Sequence, residues 1–86
     1  MGLDTVELVM QVEKTFAITI HDHEAEKMLT VGDMHDYVMR VTVADGRALD
    51  SDQVWDQITE ILAEDYGVAR VKITRKAAFI RDLGMD

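Results

Sequence analysis

Asp82-Leu83-Gly84-Met85-Asp86 ends the chain and Met1-Gly2-Leu3-Asp4-Thr5-Val6-Glu7-Leu8 begins it, and reading the two together decides the fold. The opening stretch starts a helix. From Leu3 to Phe16 apolar side chains stand at 3, 6, 8, 9, 10, 12 and 16, while Asp4, Glu7, Gln11 and Lys14 form the opposite stripe. Spacing of three and four residues makes this an amphipathic helix, apolar on rather more than half its circumference. Thr5, a turn inside it, reads as a surface or boundary residue.

The closing stretch lies in a segment without such a period. Residues 68–86 hold Val68, Val71, Ile73, Phe79, Ile80 and Leu83, with no regularity beyond a helical turn near Ala77–Ile80. Six large apolar side chains in nineteen residues should not hang free in water, so the segment is expected to lie across the domain.

Between these ends the pattern is helical again. Ala17–Ile20 is β-prone but short and reads as an extended connector, after which Asp22 can cap a short helix with Ala25, Met28 and Leu29 inward. Thr30 or Asp33 starts another helix, in which Met34, Tyr37, Val38 and Val41 recur at helical spacing. Ala44-Asp45-Gly46-Arg47 is a turn signal. Asp50 or Ser51 caps the next helix, Asp50 with Gln53 fits a capping box, and Val54, Ile58, Ile61 and Leu62 make its apolar face. Gly67 stops that helix as a left-handed cap residue does.

Composition narrows the function. Eighty-six residues make one domain, and 48% hydrophobic content supplies a core. The absence of cysteine excludes disulfides and thiolate chemistry. No apolar run is long enough to span a membrane and no leader pattern is visible, so a cytoplasmic location is expected. A net charge of −8 repels nucleic acid and favours basic protein surfaces. That charge is uneven. Residues 1–66 carry fifteen acids against four Lys/Arg, and residues 67–86 carry two against five. The acidic stripe Asp52, Asp56, Glu60 and Glu64 repels itself, and Arg70, Lys72, Arg75 and Lys76 are expected to offset it if the tail folds back.

Joined tail to head, the two ends resemble the acyl carrier protein signature D-L-G-x-D-S-L-D-x-V-E-L. Read in the order 51–86 and then 1–44, essentially the whole chain resembles that family. Val54 to Gly67 is similar to its first helix, and Val71 to Asp86 to its long loop. Leu3 to Phe16 is similar to its second helix. Ile18-Thr19-Ile20, Glu24-Ala25-Glu26-Lys27 and Thr30-Val31-Gly32-Asp33 are similar to its third helix and the start of the fourth. The resemblance implies an all-α four-helix bundle in circularly permuted order: family helices II to IV in 1–44, a connecting turn at 45–50, and helix I with the long loop in 51–86. A monomer is expected, with a domain-swapped dimer as the alternative.

The same resemblance implies a function. Carriers of this family tether acyl groups to 4'-phosphopantetheine on a serine at the head of the second helix. Gly2 stands there, so the chain is expected to carry no cofactor and to be unable to accept one at the usual place. Asp4, Glu7, Glu13, Asp22 and Glu26 correspond to the acidic surface that docks on basic patches of synthases, acyltransferases and phosphopantetheinyl transferases, while Lys14 departs from an acid. Leu8, Val12, Phe16, Ile20, Ala25, Met28, Met34, Tyr37 and Phe79 correspond to the acyl pocket, which in an empty protein is simply core. Without the resemblance the acidic stripe reads as a solvated face. The alternative function is an acidic docking module that carries no cargo.

Other chemistry is weakly signalled. Ser51, the only serine, echoes the Asp-Ser pair but reads as an ordinary N-cap. His21-Asp22-His23 with His35 lacks a further ligand at recognisable spacing and reads as exposed histidines, so no metal is expected. Gly32 and Gly67 have no phosphate-loop context, and no nucleophile–base pair suggests an enzyme.

Overall fold

A computed structural model describes residues 3–86. Its elements are α1 (Leu3–Phe16), α2 (Asp22–Ala25), α3 (Val31–Ala44) and α4 (Ser51–Glu60), the last continued by a π-helical turn at Ile61–Asp65. A 3-10 turn at Arg70–Lys72 opens the tail. The architecture is an all-helical bundle with no strand among the described residues, and its radius of gyration of 11.9 Å matches the roughly 12 Å of a close-packed chain this long.

Each helix is bounded by local chemistry. Asp4 lies in the first turn of α1, where an acid complements the helix dipole. Beyond Phe16 the chain leaves through Ala17 at φ 53°, and the Ile18 N–H returns to the Glu13 carbonyl at 3.1 Å. That six-residue bond closes a Schellman turn, with alanine in the position usually given to glycine. The Glu13 carboxylate then accepts from the Ile20 N–H at 2.7 Å, fixing the extended connector below the helix.

At α3 the Thr30 hydroxyl accepts from the Asp33 N–H while the Asp33 carboxylate accepts from the Thr30 N–H, each at 3.1 Å, completing a capping box. At α4 the Asp50 carboxylate accepts from the Asp52 and Gln53 N–H groups, without a return bond from Gln53 among the described residues. The capping box expected there is therefore one-sided, and Ser51 is the first helical residue rather than the cap. Asp22 likewise is helical, with His21 in the cap position and no side-chain bond.

The core gathers Leu8, Val12 and Phe16 of α1, Val31, Met34 and Val38 of α3, and Val54, Ile58 and Leu62 of α4 and its extension. Each such side chain contributes about 1.5–3 kcal/mol by leaving water. Thr42 is fully buried but satisfied, donating to the Val38 carbonyl at 2.8 Å.

The tail is pinned along α3's entrance. The Val31 N–H donates to the Ala77 carbonyl, Gly32 N–H to Arg75 and Phe79 N–H to Leu29, all within 3.0 Å. This antiparallel contact seats Ile73, Ala77, Phe79 and Met85 in the core, so the segment does lie across the domain. Val71 stays 86% exposed, and Ile80 61%.

The expected charge compensation is mostly absent. Among the described residues only Arg70 reaches the α4 stripe, at 3.5 Å from Glu64, whereas Arg75 pairs with Asp36 at 2.7 Å. Three further expectations are corrected. Thr5 is buried, Leu29 lies beyond the end of α2 and is 64% exposed rather than inward, and His35 is a core histidine of α3, 6% exposed, rather than a loop residue.

Candidate functional site

The first turn of α1 meets the end of the tail. The Thr5 N–H donates to the Asp86 carbonyl at 3.2 Å, and Met85 is buried beside this junction in sequence. Three backbone features shape the approach. Ala78 N–H donates to the Asp82 carboxylate at 2.8 Å, Met85 N–H to the Phe79 carbonyl at 2.8 Å, and Gly84 takes φ 66° to redirect the chain. Gly2, the expected attachment position, lies outside the described residues.

Outward from this junction, α1 carries more apolar surface than the bundle can cover. Thr5, Leu8, Val9, Val12 and Phe16 face inward, while Leu3 remains 73% exposed, Met10 57% and Val6 37%. These three share one helical face at spacings of three and four. Glu7 is exposed next to them and Asp4 half-buried. Burial raises the Tyr66 phenol above its ordinary value, and Glu7, Asp4 and Asp65 add to the shift, so the acidic start of α1 lies near the end of the π-helical extension of α4.

The five acids expected to dock are not equivalent. Glu7, Asp22 and Glu26 are exposed, whereas Glu13 is half-buried with one oxygen held by Ile20 N–H. Leu3, Val6 and Met10 escaped the sequence reading because periodicity counts apolar positions without knowing how wide a face the neighbours cover.

All nine residues expected to form the pocket are buried. Leu8, Ala25, Met28, Met34 and Phe79 line a cavity of about 50 Å³ between α1, α2, α3 and the tail. Val12, Phe16, Ile20 and Tyr37 lie outside its lining. Thr5, Val9, Glu26, Leu29 and Ile80 complete its lining, and Leu29 and Ile80 are themselves largely exposed. The space holds no more than a few waters, so a chain of methylenes requires the walls to part. Met28 and Met34 are suited to that because their unbranched side chains repack easily.

Among the described residues no group of three His, Cys, Asp or Glu side chains could hold a metal ion, and His21 and His23 stack on one another at 6.1 Å. No helix is long and apolar enough to cross a membrane among the described residues.

No protein-family model matches the chain, and no solved structure matches it. A curated relative does. Over 37 residues the chain is 58% identical to the acyl carrier protein of Wolinella succinogenes, a match covering 43% of this chain and 49% of that protein. The aligned part thus spans about half the length of the relative, and the likeness is to an acyl carrier protein over that part.

Proposed function

We propose that the chain is an acyl-carrier-protein-like domain, with no catalytic activity of its own, whose attachment loop is interrupted before the second helix of the family. The observation that carries this reading is the Thr5 to Asp86 hydrogen bond. With Met1 set aside, the joined order Asp86-Gly2-Leu3-Asp4-Thr5 makes that bond the N–H to C=O link four residues back that defines an α-helix. That spacing supports reading the two ends as neighbours in one helical turn. The partial likeness to a curated acyl carrier protein supports the same reading.

In such a carrier a serine hydroxyl attacks the pyrophosphate of coenzyme A, a phosphodiester to pantetheine forms, and 3',5'-ADP leaves. Glycine at position 2 offers no oxygen for that attack. Leu3, Val6 and Met10 form an exposed apolar strip beside Glu7, a combination that suits a partner with an apolar patch inside a basic rim. Asp22 and Glu26 add exposed acids on the α2 side, and Glu26 lines the cavity, which lodges the first carbons of a cargo once its walls part.

The test is intact mass after incubation with coenzyme A and a phosphopantetheinyl transferase of broad specificity. The expected result is no gain for this chain and a single pantetheine for Gly2→Ser. Failure of the Gly2→Ser protein to accept the arm, with transferase binding retained, supports the second reading, an acidic docking module without cargo. The exposed α1 strip favours that reading equally.

A further inference from the structure

One buried ionisable group takes no part in the function proposed above. His35 sits where three segments meet: α3, which carries it, the start of α4, and the tail. Its Nε2 lies 2.9 Å from the Ser51 carbonyl and 3.3 Å from the Ser51 hydroxyl, its Nδ1 lies 3.0 Å from a terminal nitrogen of Arg75, and the Trp55 ring stands edge-on at 5.5 Å. A guanidinium nitrogen has only hydrogens to offer, so Nδ1 must accept with its lone pair. The proton is therefore on Nε2, donated to the Ser51 carbonyl. The observed geometry admits the neutral ring alone.

We propose that His35 is a proton-operated latch for the tail segment 74–80. When Nδ1 takes a proton, two N–H groups and two positive charges confront each other across the contact with Arg75. The charged groups facing the ring are Arg75 from the tail and Asp36 from α3, while α4 presents the neutral Ser51 and Trp55. Asp36 Oδ1 is 2.7 Å from Arg75 and 3.8 Å from His35 Nδ1, so the protonated ring competes for the carboxylate that now holds Arg75. Arg75 is then released from the ring and loses its exclusive hold on Asp36.

What Arg75 anchors gives the release its consequence. Its carbonyl receives the Gly32 N–H at 2.9 Å, and next to it the Val31 to Ala77 and Phe79 to Leu29 bonds hold the tail against the entrance of α3. The same strip carries Phe79 and Ile80, which wall the small cavity. Imidazole changes charge near the physiological range, so mild acid loosens the strip and neutral solution closes it. The latch stands whether or not the cavity receives a chain.

The test is amide hydrogen exchange of Val31, Gly32 and Phe79, corrected for the intrinsic pH dependence of exchange. Protection of these amides is expected to fall about tenfold or more between roughly pH 7.5 and pH 5.5, while amides in the middle of α1 hold. In His35→Gln, whose amide can accept from Arg75 and donate to Ser51 at either pH, the fall should vanish. His21 and His23 remain in that variant and serve as its control. Should His35→Gln not fold, Arg75→Gln removes the repulsion and gives the same expectation. Unchanged protection in the parent chain, or an equal fall in both variants, overturns the proposal.

Discussion

Gly32 has the Arg75 carbonyl oxygen only 2.7 Å from where a Cβ would stand. That oxygen is backbone, so it cannot swing aside. Gly32→Ala is expected to lose about 1–3 kcal/mol in urea unfolding, because the tail must shift to admit a methyl group. Glu13 poses a different residue-scale question. Its carboxylate takes the Ile20 N–H, so Glu13→Ala leaves a partly buried donor without its acceptor and should cost about 1–3 kcal/mol. Glu13→Gln keeps an acceptor there and should cost less in the same assay. Neither role was legible in the chain. Gly32 meets a residue far along the sequence, and Glu13 looked like one more member of an acidic stripe. Helical periodicity says which face a side chain occupies and nothing about which distant backbone comes to meet it.

Helix boundaries were readable where a short-range bond sets them. Thr30, Asp33, Asp50 and Gly67 all mark ends that the sequence placed, since caps act over three or four residues. Thr30→Ala removes the acceptor for Asp33 N–H and should lower stability by about 1 kcal/mol in chemical unfolding. The π turn at Ile61–Asp65 and the course of the tail were not readable, because both answer to packing rather than to local propensity. Within the tail, Asp82 is the titrating element. The Ala78 N–H holds its carboxyl below the ordinary value, with Arg81 assisting. A lowered folded-state value means the contribution is present above the unfolded value of about 3.9 and fades as pH falls through the lower one. Asp82→Asn should therefore flatten the part of the acid limb of a Tm-against-pH profile that lies below about pH 4.

At the scale of the molecule, seventeen acids face nine Lys/Arg, and among the described residues Lys27, Arg40, Arg70 and Arg75 meet a partner on the acidic helical body. Repulsion of this kind is screened within about 10 Å at 0.1 M salt. Raising sodium chloride from about 0.02 to 0.5 M should lift Tm by several degrees, whereas a fold held by its ion pairs would fall. The three long helices were legible because each amphipathic period reports its own helix, whereas the four-helix bundle as a whole was an expectation from the family resemblance. The bond from Thr5 to Asp86 has a kinetic meaning as well. Contacts that join the extremes of a chain close the largest possible loop, so they form late and slow the search. Ligating the ends and reopening the turn near Gly46 would make those neighbours sequential, and refolding in stopped-flow should accelerate although the packed interior stays the same.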